Sequence, residues 1–564
     1  MPSTIRYQLD NGLTVLLEEN HATPVVAFQA WVGVGSADEP EELAGIAHVF
    51  EHMLFKGTAR RGVGQIAQEV EGAGGDINAW TAFDQTVFHV VMASRYFDTG
   101  LDIIADALQH SSFDPEELSR ELKVVLEEVK QGEDTPSRIA SQAMFAAAYG
   151  KHPYRRPVIG TSKTVSTFRR DKLVDFFRRY YVPSNITLVV VGDFDAAKAR
   201  KKIAAAWGEA SAAPAPRAPR RVEPRQKAPR VTVVTGDVRE AHLAVAFHVP
   251  PLRDDDTAPL DLAAIILGQG DSSRLQVEVK RNRQLVTEAW AYSYSPRDPG
   301  LLVAGATLPP ERTDEALDAL LGETFRIATA EVTPEELDKA KAIIESDAVY
   351  QKETVQGTAR KLGFYETVAG SLGWEAEYGR AIRDVSPARL RAAVARYVQP
   401  DNATIALLLP KAVVADAGGK AKIEARLLER LDVAWRRARA NEQPVAPSDG
   451  QVFREVLPSG ARVLVMRDPS IPLVAMRAVW VGGLRAEDER VNGVTNLLAS
   501  LVTRGTKTKS GDEIAHEVES LAGSIGGFSG RNSFGLRAEV LSRHASHGLG
   551  LLADCILHPA FSEG

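Results

Sequence analysis

Residues 459–506 repeat residues 11–58 at one constant offset. Ser459-Gly460 stands where Asn11-Gly12 stands, Pro472 matches Pro24, and Gly505-Thr506 matches Gly57-Thr58, each pair 448 apart (460 − 12, 472 − 24, 505 − 57). An offset held without insertion marks a duplicated unit, so the chain contains more than one copy of one fold. Its 564 residues also exceed one ordinary domain and ask for about three or four. The copies part company in one stretch. His48, Glu51 and His52 become Asn496, Ala499 and Ser500, while apolar neighbours survive as Leu497, Leu498 and Leu501.

In the first copy that stretch, Gly45 to Gly57, carries apolar residues at helical spacing and predicts a helix with one buried face. His48 and His52 are four apart and lie on one side of it. Both imidazoles can therefore reach one ion at the ~2.0–2.1 Å zinc requires. Glu51 sits beside the same ion. His-x-x-Glu-His is the inverted form of a zinc-peptidase signature. The third ligand must be a distant Glu, Asp or His, and a fourth position must stay open for water. Cysteine cannot serve, because Cys555 is the only one in the chain; for the same reason no intrachain disulfide can form.

The rest of the chain has an ordinary globular composition, 44% hydrophobic and 25% charged. A formal net charge of −7 argues against a general nucleic-acid binder. No run of about 18 apolar residues predicts a membrane span. The start lacks a basic and then apolar leader, so the expected place is the cytoplasm; the periplasm or secretion would apply if a leader is missing.

Residues 5–35 alternate around Asn11-Gly12, predicting a hairpin and a further strand ending at Val32. Strands are expected again at 74–81 and 85–92, and a helix over 97–109. Asp114-Pro115 then caps and starts another helix, which holds Glu121 and Glu128 two turns apart on one face. Either carboxylate is a candidate third ligand. The pattern is α+β, an antiparallel sheet backed by helices. Residues 211–230, rich in Pro, Ala and Arg, predict an extended, solvated linker.

Taken together, the zinc motif, Asn78-Ala79-Trp80-Thr81, the helix holding Glu127-Glu128, His152-Pro153-Tyr154 with Gly160, and Tyr180 to Asn185 ahead of an apolar strand resemble the pitrilysin/insulinase zinc peptidases, which include the mitochondrial processing peptidases. The resemblance covers residues 5 to about 410 and implies tandem domains of the processing-peptidase type. Its third ligand lies seventy-six residues past the second His, which selects Glu128 (52 + 76 = 128) over Glu127. It places a second Glu one heptad upstream to support the site from behind, matched by Glu121 (128 − 7 = 121). It makes the strand Asn78, Ala79, Trp80, Thr81 the edge to which substrate adds.

The implied organisation is a catalytic domain over 1–210, a linker over 211–230, a related domain without zinc ligands over 231–412, a helical linker over 413–450, and over 451–564 a degenerate repeat that reads as cut in mid-domain. The implied activity is zinc-dependent endoproteolysis of peptides or unfolded polypeptides, with one Zn2+ per chain and Glu51 as general base. The alternative is a non-catalytic structural or partner subunit of the same family. A distal half, in a longer chain or a partner, is expected to add an Arg and a Tyr seven residues apart; the matching positions here are Lys280 and Thr287, which cannot replace them.

Overall fold

The computed structural model describes residues 4–216, 219–442, 453–466, 472–521 and 523–561. The chain separates into two units, Met1–Val445 and Ala446–Gly564. Unit 1 holds two sheets. The first contains β1 (Ile5–Gln8), β2 (Thr14–Glu19), β3 (Val25–Val32), β4 (Asp76–Thr81), β5 (Thr86–Ala93) and β6 (Ile186–Gly192), ordered β1-β2-β6-β3-β5-β4. The second contains β7 (Arg230–Gly236), β8 (Ala241–Val249), β9 (Glu288–Tyr294), β10 (Gly300–Leu308) and β11 (Ala403–Pro410), ordered β7-β11-β8-β10-β9. Pairing is antiparallel except β2 with β6 and β7 with β11. The two parallel pairs join strands distant in sequence, which no hairpin signal announces.

β3 and β6 are central because they are apolar on both faces, β6 being buried throughout. On one face of the first sheet lie the helices Ile46–Met53, Phe97–His110 and Arg170–Tyr180, closing the core around Phe28, Phe50, Phe88 and Leu188. The other face is covered from the second domain by the helix Val355–Phe364, whose Gly363 sits directly on Trp31. A Cβ there would fall 2.0 Å from the indole nitrogen. The exchange is mutual. The helix Pro136–Ala148, from the first domain, covers Ala244, Ala246, Leu301 and Val303 of the second sheet with Met144 and Ala148. Each sheet therefore borrows half its apolar cover from the other, which is why the two make one unit.

The described residues of 211–229 form no helix or strand, as an extended segment should, but they are not simply solvated. Arg220 is nearly buried and its guanidinium is shared by Asp38 and Asp84 of the first domain and Asp298 of the second. Glu223 accepts hydrogen bonds from the backbone N–H of Gly150, Lys151 and His152. The Pro-rich composition hid these anchors, because burial of a few charges leaves no periodic signal. Removing one partner of a buried ion cluster costs about 3–5 kcal/mol. Arg220→Ala should therefore lower the unfolding free energy of unit 1, read from denaturant titration, by an amount in that range. Tryptophan fluorescence reports it, since six of the seven tryptophans precede residue 446. A loss under about 1 kcal/mol, the value of an exposed pair, would contradict the anchoring role.

Unit 2 carries β12 (Phe453–Val456) paired with β13 (Arg462–Val465), and a sheet ordered β14-β16-β15 from β14 (Leu473–Val481), β15 (Ser524–Ser529) and β16 (Ser533–Leu541). Adding 448 to the bounds of β1 and β4 gives those of β12 and β15 (5 + 448 = 453, 76 + 448 = 524), and Ile46–Met53 becomes the helix Val494–Leu501. The duplication is thus structural as well as sequential. Among the described residues no helix is long and apolar enough to cross a membrane.

Candidate metal centre

The helix Ile46–Met53 has only eight residues, too short to be stable alone, and tertiary contacts must hold it. Ile46, Val49, Phe50 and Met53 are buried, and the Phe50 ring stacks against Phe176 and packs edge-on to Phe113. That fixes the rotation of the helix and turns His48, Glu51 and His52 to the opposite, half-buried side. Its first turn is held by a residue that sequence reasoning missed. Gly45, at φ +98°, lets the chain turn in against Gly160, and both the Gly45 and Ala47 N–H groups donate to the buried Glu39 carboxylate at 2.8 Å. These are two of the four amides a helix start leaves free, met by the two acceptor oxygens of one side chain. Burial pushes the Glu39 carboxyl up to about 8, against the two amides and Arg156, which hold it down.

The repeat keeps this device. Glu487, at 39 + 448, accepts from the N–H groups of Gly493 and Thr495, although the histidines are gone. The cap serves the helix and not the metal, and the available signal was this conserved pairing of Glu and Gly across the two copies. Glu39→Ala would orphan both buried amides at about 1–3 kcal/mol each. We expect a lowered unfolding midpoint and weaker zinc binding together, with a smaller loss for Glu487→Ala, whose carboxylate is partly exposed. Equal losses from the two changes would remove Glu39 from the support of the site.

The second helix of the site, Pro115–Asp134, starts at Asp114, whose side chain accepts from the Glu116 and Glu117 N–H groups at 2.9 and 3.0 Å. Leu118, Glu121, Val125 and Val129 are buried at helical spacing, so Glu121 and Glu128 face the histidine helix. Glu128 Oε2 lies 3.7 Å from His48 Nε2 and 3.6 Å from His52 Nε2. Ligand atoms about 2.0–2.1 Å from a tetrahedral zinc stand about 3.3–3.4 Å apart, so the three fit one ion with little movement. They are the one such group among the described residues. Glu127, by contrast, points outward at 62% side-chain exposure and pairs only with Lys130.

Glu121 lies behind this triad. Its Oε2 is 3.2 Å from His52 Nδ1, and its Oε1 is 2.6 Å from Lys56 Nζ. A proton on Nδ1 directed at Glu121 leaves the Nε2 lone pair free for a metal. His48 is driven down to about 4 by burial and then by the neighbouring His52, so it stands neutral and ready to ligate at pH 7. Glu51 is raised, first by burial and also by Glu128, while Thr81 and His52 pull it down. Lys56, like Glu39, was not foreseen; it lies one turn past His52, where its charge is a routine surface feature until the fold brings Glu121 to it.

The strand expected to bind substrate is β4, at the free edge of its sheet. Ala79 and Thr81 turn toward the histidine helix, where Thr81 Oγ1 is 3.4 Å from the Ala47 carbonyl. Trp80 turns the other way, with its ring edge to face with Trp31 at 5.7 Å, and Asn78 is exposed. A cavity of about 470 Å³ opens beside His48 and Glu128, with Phe83, Phe145 and Arg138 among its walls. At the place of the histidine helix the second domain has Thr257–Gly268, buried on every side and unable to present ligands.

Most of the chain is matched by known proteins. The model of the insulinase family, peptidase family M16, matches residues 14–162 and 462–564, and that of the M16 inactive domain matches 167–344. The uncharacterized zinc protease YmxG of Bacillus subtilis is 27% identical over 410 residues, 72% of this chain and 98% of its own length. The uncharacterized zinc protease Mb2805c of Mycobacterium bovis is 30% identical over 364 residues, 64% of this chain and 82% of its own. Among solved structures, a protease from Helicobacter pylori superposes with a TM-score of 0.69 at 26% identity, covering 73% of this chain and all of the other.

Proposed function

Since the chain belongs to the insulinase (M16) family of peptidases, we propose that it is a zinc-dependent endopeptidase that hydrolyses peptides or unfolded polypeptides, with its catalytic centre in residues 1–210. The observation that carries this reading is the convergence of His48, His52 and Glu128 on one point, with Glu51 beside them on the same helix. His48, His52 and Glu128 would hold zinc, which would supply a Lewis acid for the carbonyl oxygen and a water acidic enough to attack near pH ~7. Glu51 accepts the proton of the attacking water and later delivers it to the leaving amine. Its raised pKa suits both tasks better than that of a free carboxylate, because a base poised nearer neutrality also returns its proton. Glu121 holds His52 in the tautomer and orientation that ligation needs.

Substrate pairs as an added strand with the backbone of Asn78, Ala79, Trp80 and Thr81, whose outer edge is free. Main-chain pairing gives affinity with loose sequence preference and requires an extended substrate, which selects unfolded segments. Residues 231–412 and the repeat over 451–564 are assigned a structural part; of the 413–450 read as a helical linker, the helix Lys420–Ala440 instead packs Ile423, Leu427 and Leu431 into the core of the second sheet, and 443–450 lie outside the described residues. Among the described residues neither 167–344, matched by the inactive-domain model, nor the repeat holds a His-His-Glu set, which supports assigning the non-catalytic part to them.

The test is removal and return of the metal. An unstructured fluorogenic peptide should be cleaved by zinc-loaded protein, left intact after chelation, and cleaved again when one equivalent of zinc is restored. Hydrolysis that survives complete removal of metal would sink the proposal.

A further inference from the structure

A cavity larger than the one beside the histidines lies elsewhere in unit 1. About 810 Å³ lie on the other face of the first sheet, between β4 and the helices of the second domain, and the walls are aromatic: Trp31 and Trp80 from the first domain, Tyr350, Tyr365 and Trp374 from the second. Trp374 is stacked on Tyr378, whose hydroxyl donates to the half-buried Asp261 at 2.7 Å; Tyr378 and Asp261 also line the cavity, and their hydrogen bond fixes that wall. Arg360 lies over the Trp80 ring at 4.9 Å and forms no ion pair among the described residues. Tyr350, at 63% exposure, stands at the rim. A pocket of this size, largely aromatic and with one free cation at its margin, has the character of a ligand site.

What would fill it follows from the strand it adjoins. β4 has a free edge, and side chains along a strand alternate between its faces. A peptide strand added to that edge must do the same, with paired residues on the same face about 4.5–5.5 Å apart at Cβ. Peptide residues opposite Ala79 and Thr81 thus face the histidine helix. The residue opposite Trp80 faces the aromatic cavity. We propose that this cavity is a specificity subsite that takes one large aromatic side chain of the bound peptide, on the face of the strand away from the metal, with Trp80, Tyr350 and Trp374 as its contact surfaces and Arg360 stacking over the guest ring. An aromatic guest gains edge-to-face or stacked contacts with these rings beyond its area burial, and the guanidinium adds attraction to its face. An alanine at that position would leave the cavity to water. The inference rests on the proposed peptidase reading for its strand-addition geometry, but it concerns binding and not the chemistry.

Two measurements keep the two readings apart. A series of unstructured peptides carries a single Phe walked through a Gly/Ser/Ala background, with cuts mapped by mass spectrometry on zinc-loaded protein. We expect one Phe position near the cut to raise kcat/KM about tenfold over Ala, through KM, the signature of binding made equally in ground and transition states. Tyr350→Ala and Arg360→Ala should each reduce that ratio to about threefold or less. Separately, zinc-loaded Glu51→Gln protein is irradiated with the same series of peptides, each bearing p-benzoylphenylalanine in place of its Phe. Cross-links are expected within residues 350–374. Cross-links confined to residues 128–161, beside the histidines, would overturn the subsite, as would a Phe preference unchanged in both variants. If peptide is not cleaved but cross-links fall within 350–374, the peptidase reading fails and the subsite stands. If peptide is cleaved with no positional preference for Phe, the subsite fails and the peptidase reading stands.

Discussion

Glu51→Gln is expected to keep a full complement of zinc while lowering kcat/KM on an unstructured peptide by about 10²–10⁴-fold, the range general acid–base catalysis supplies. The substitution is nearly isosteric, and the helix beneath it is fixed by Phe50, Val49 and the Glu39 cap, none of which touches the carboxylate. His48, His52 and Glu128 meet without it. The amide accepts a hydrogen bond where Glu51 does but cannot take a proton, so catalysis is separated from metal binding. Because burial and Glu128 raise the Glu51 carboxyl, its ionised form is lost at a higher pH than that of a free glutamate as the solution is acidified. The acid limb that Glu51 contributes to the pH–rate profile of the parent protein should be absent from the residual activity of the variant. Retention of most of the parental turnover would remove Glu51 from the mechanism.

How much of this was legible in the sequence depended on whether the determinant was local. The Asn11-Gly12 turn, the end of β3 at Val32 and the Asp114-Pro115 start all sit where their residues predict, because each signal and its consequence lie within a few residues. His48 and His52 were legible for the same reason: one helical turn joins them. Glu128 was not legible from spacing, since Glu121 shares its face and Glu127 its neighbourhood; the resemblance chose among them, and the structure brings Glu128 to the histidines. Glu39 and Arg220 were invisible because their partners are set by the fold. Glu39 precedes the helix it caps by a turn that only Gly45 permits, and Arg220 gathers acids from positions 38, 84 and 298. The exchange of covering helices between the two sheets left only a faint trace, the small residues Ala359 and Gly363 in one helix and Ala140 and Ala148 in the other. Such residues mark close packing without naming what is packed against.

The larger effect on the metal is expected from Glu128→Ala and His52→Ala, which should each abolish stoichiometric zinc at micromolar protein, while Glu127→Ala should leave it unchanged. Partners that only orient a ligand are worth about 10–100-fold in metal affinity, and a direct ligand more than that. Glu121→Gln should therefore fall between the extremes. It loses the charge that holds the proton on His52 Nδ1 and frees Lys56 from its 2.6 Å contact, yet all three ligands remain. Glu127, one position from Glu128, is separated from it by about 100° of helical rotation, enough to carry its carboxylate out to Lys130 and solvent. Zinc content by metal analysis, with competition against a chelator for the intermediate variant, ranks the four. Should Glu127→Ala lose zinc while Glu128→Ala retains it, the helix Pro115–Asp134 would have to be rotated by about one residue. Leu118, Val125 and Val129 would then leave the core they fill, and the buried Glu121 would turn away from His52. A single pair of neighbouring alanine substitutions thus tests the ligand set and the packing of the helix that delivers it.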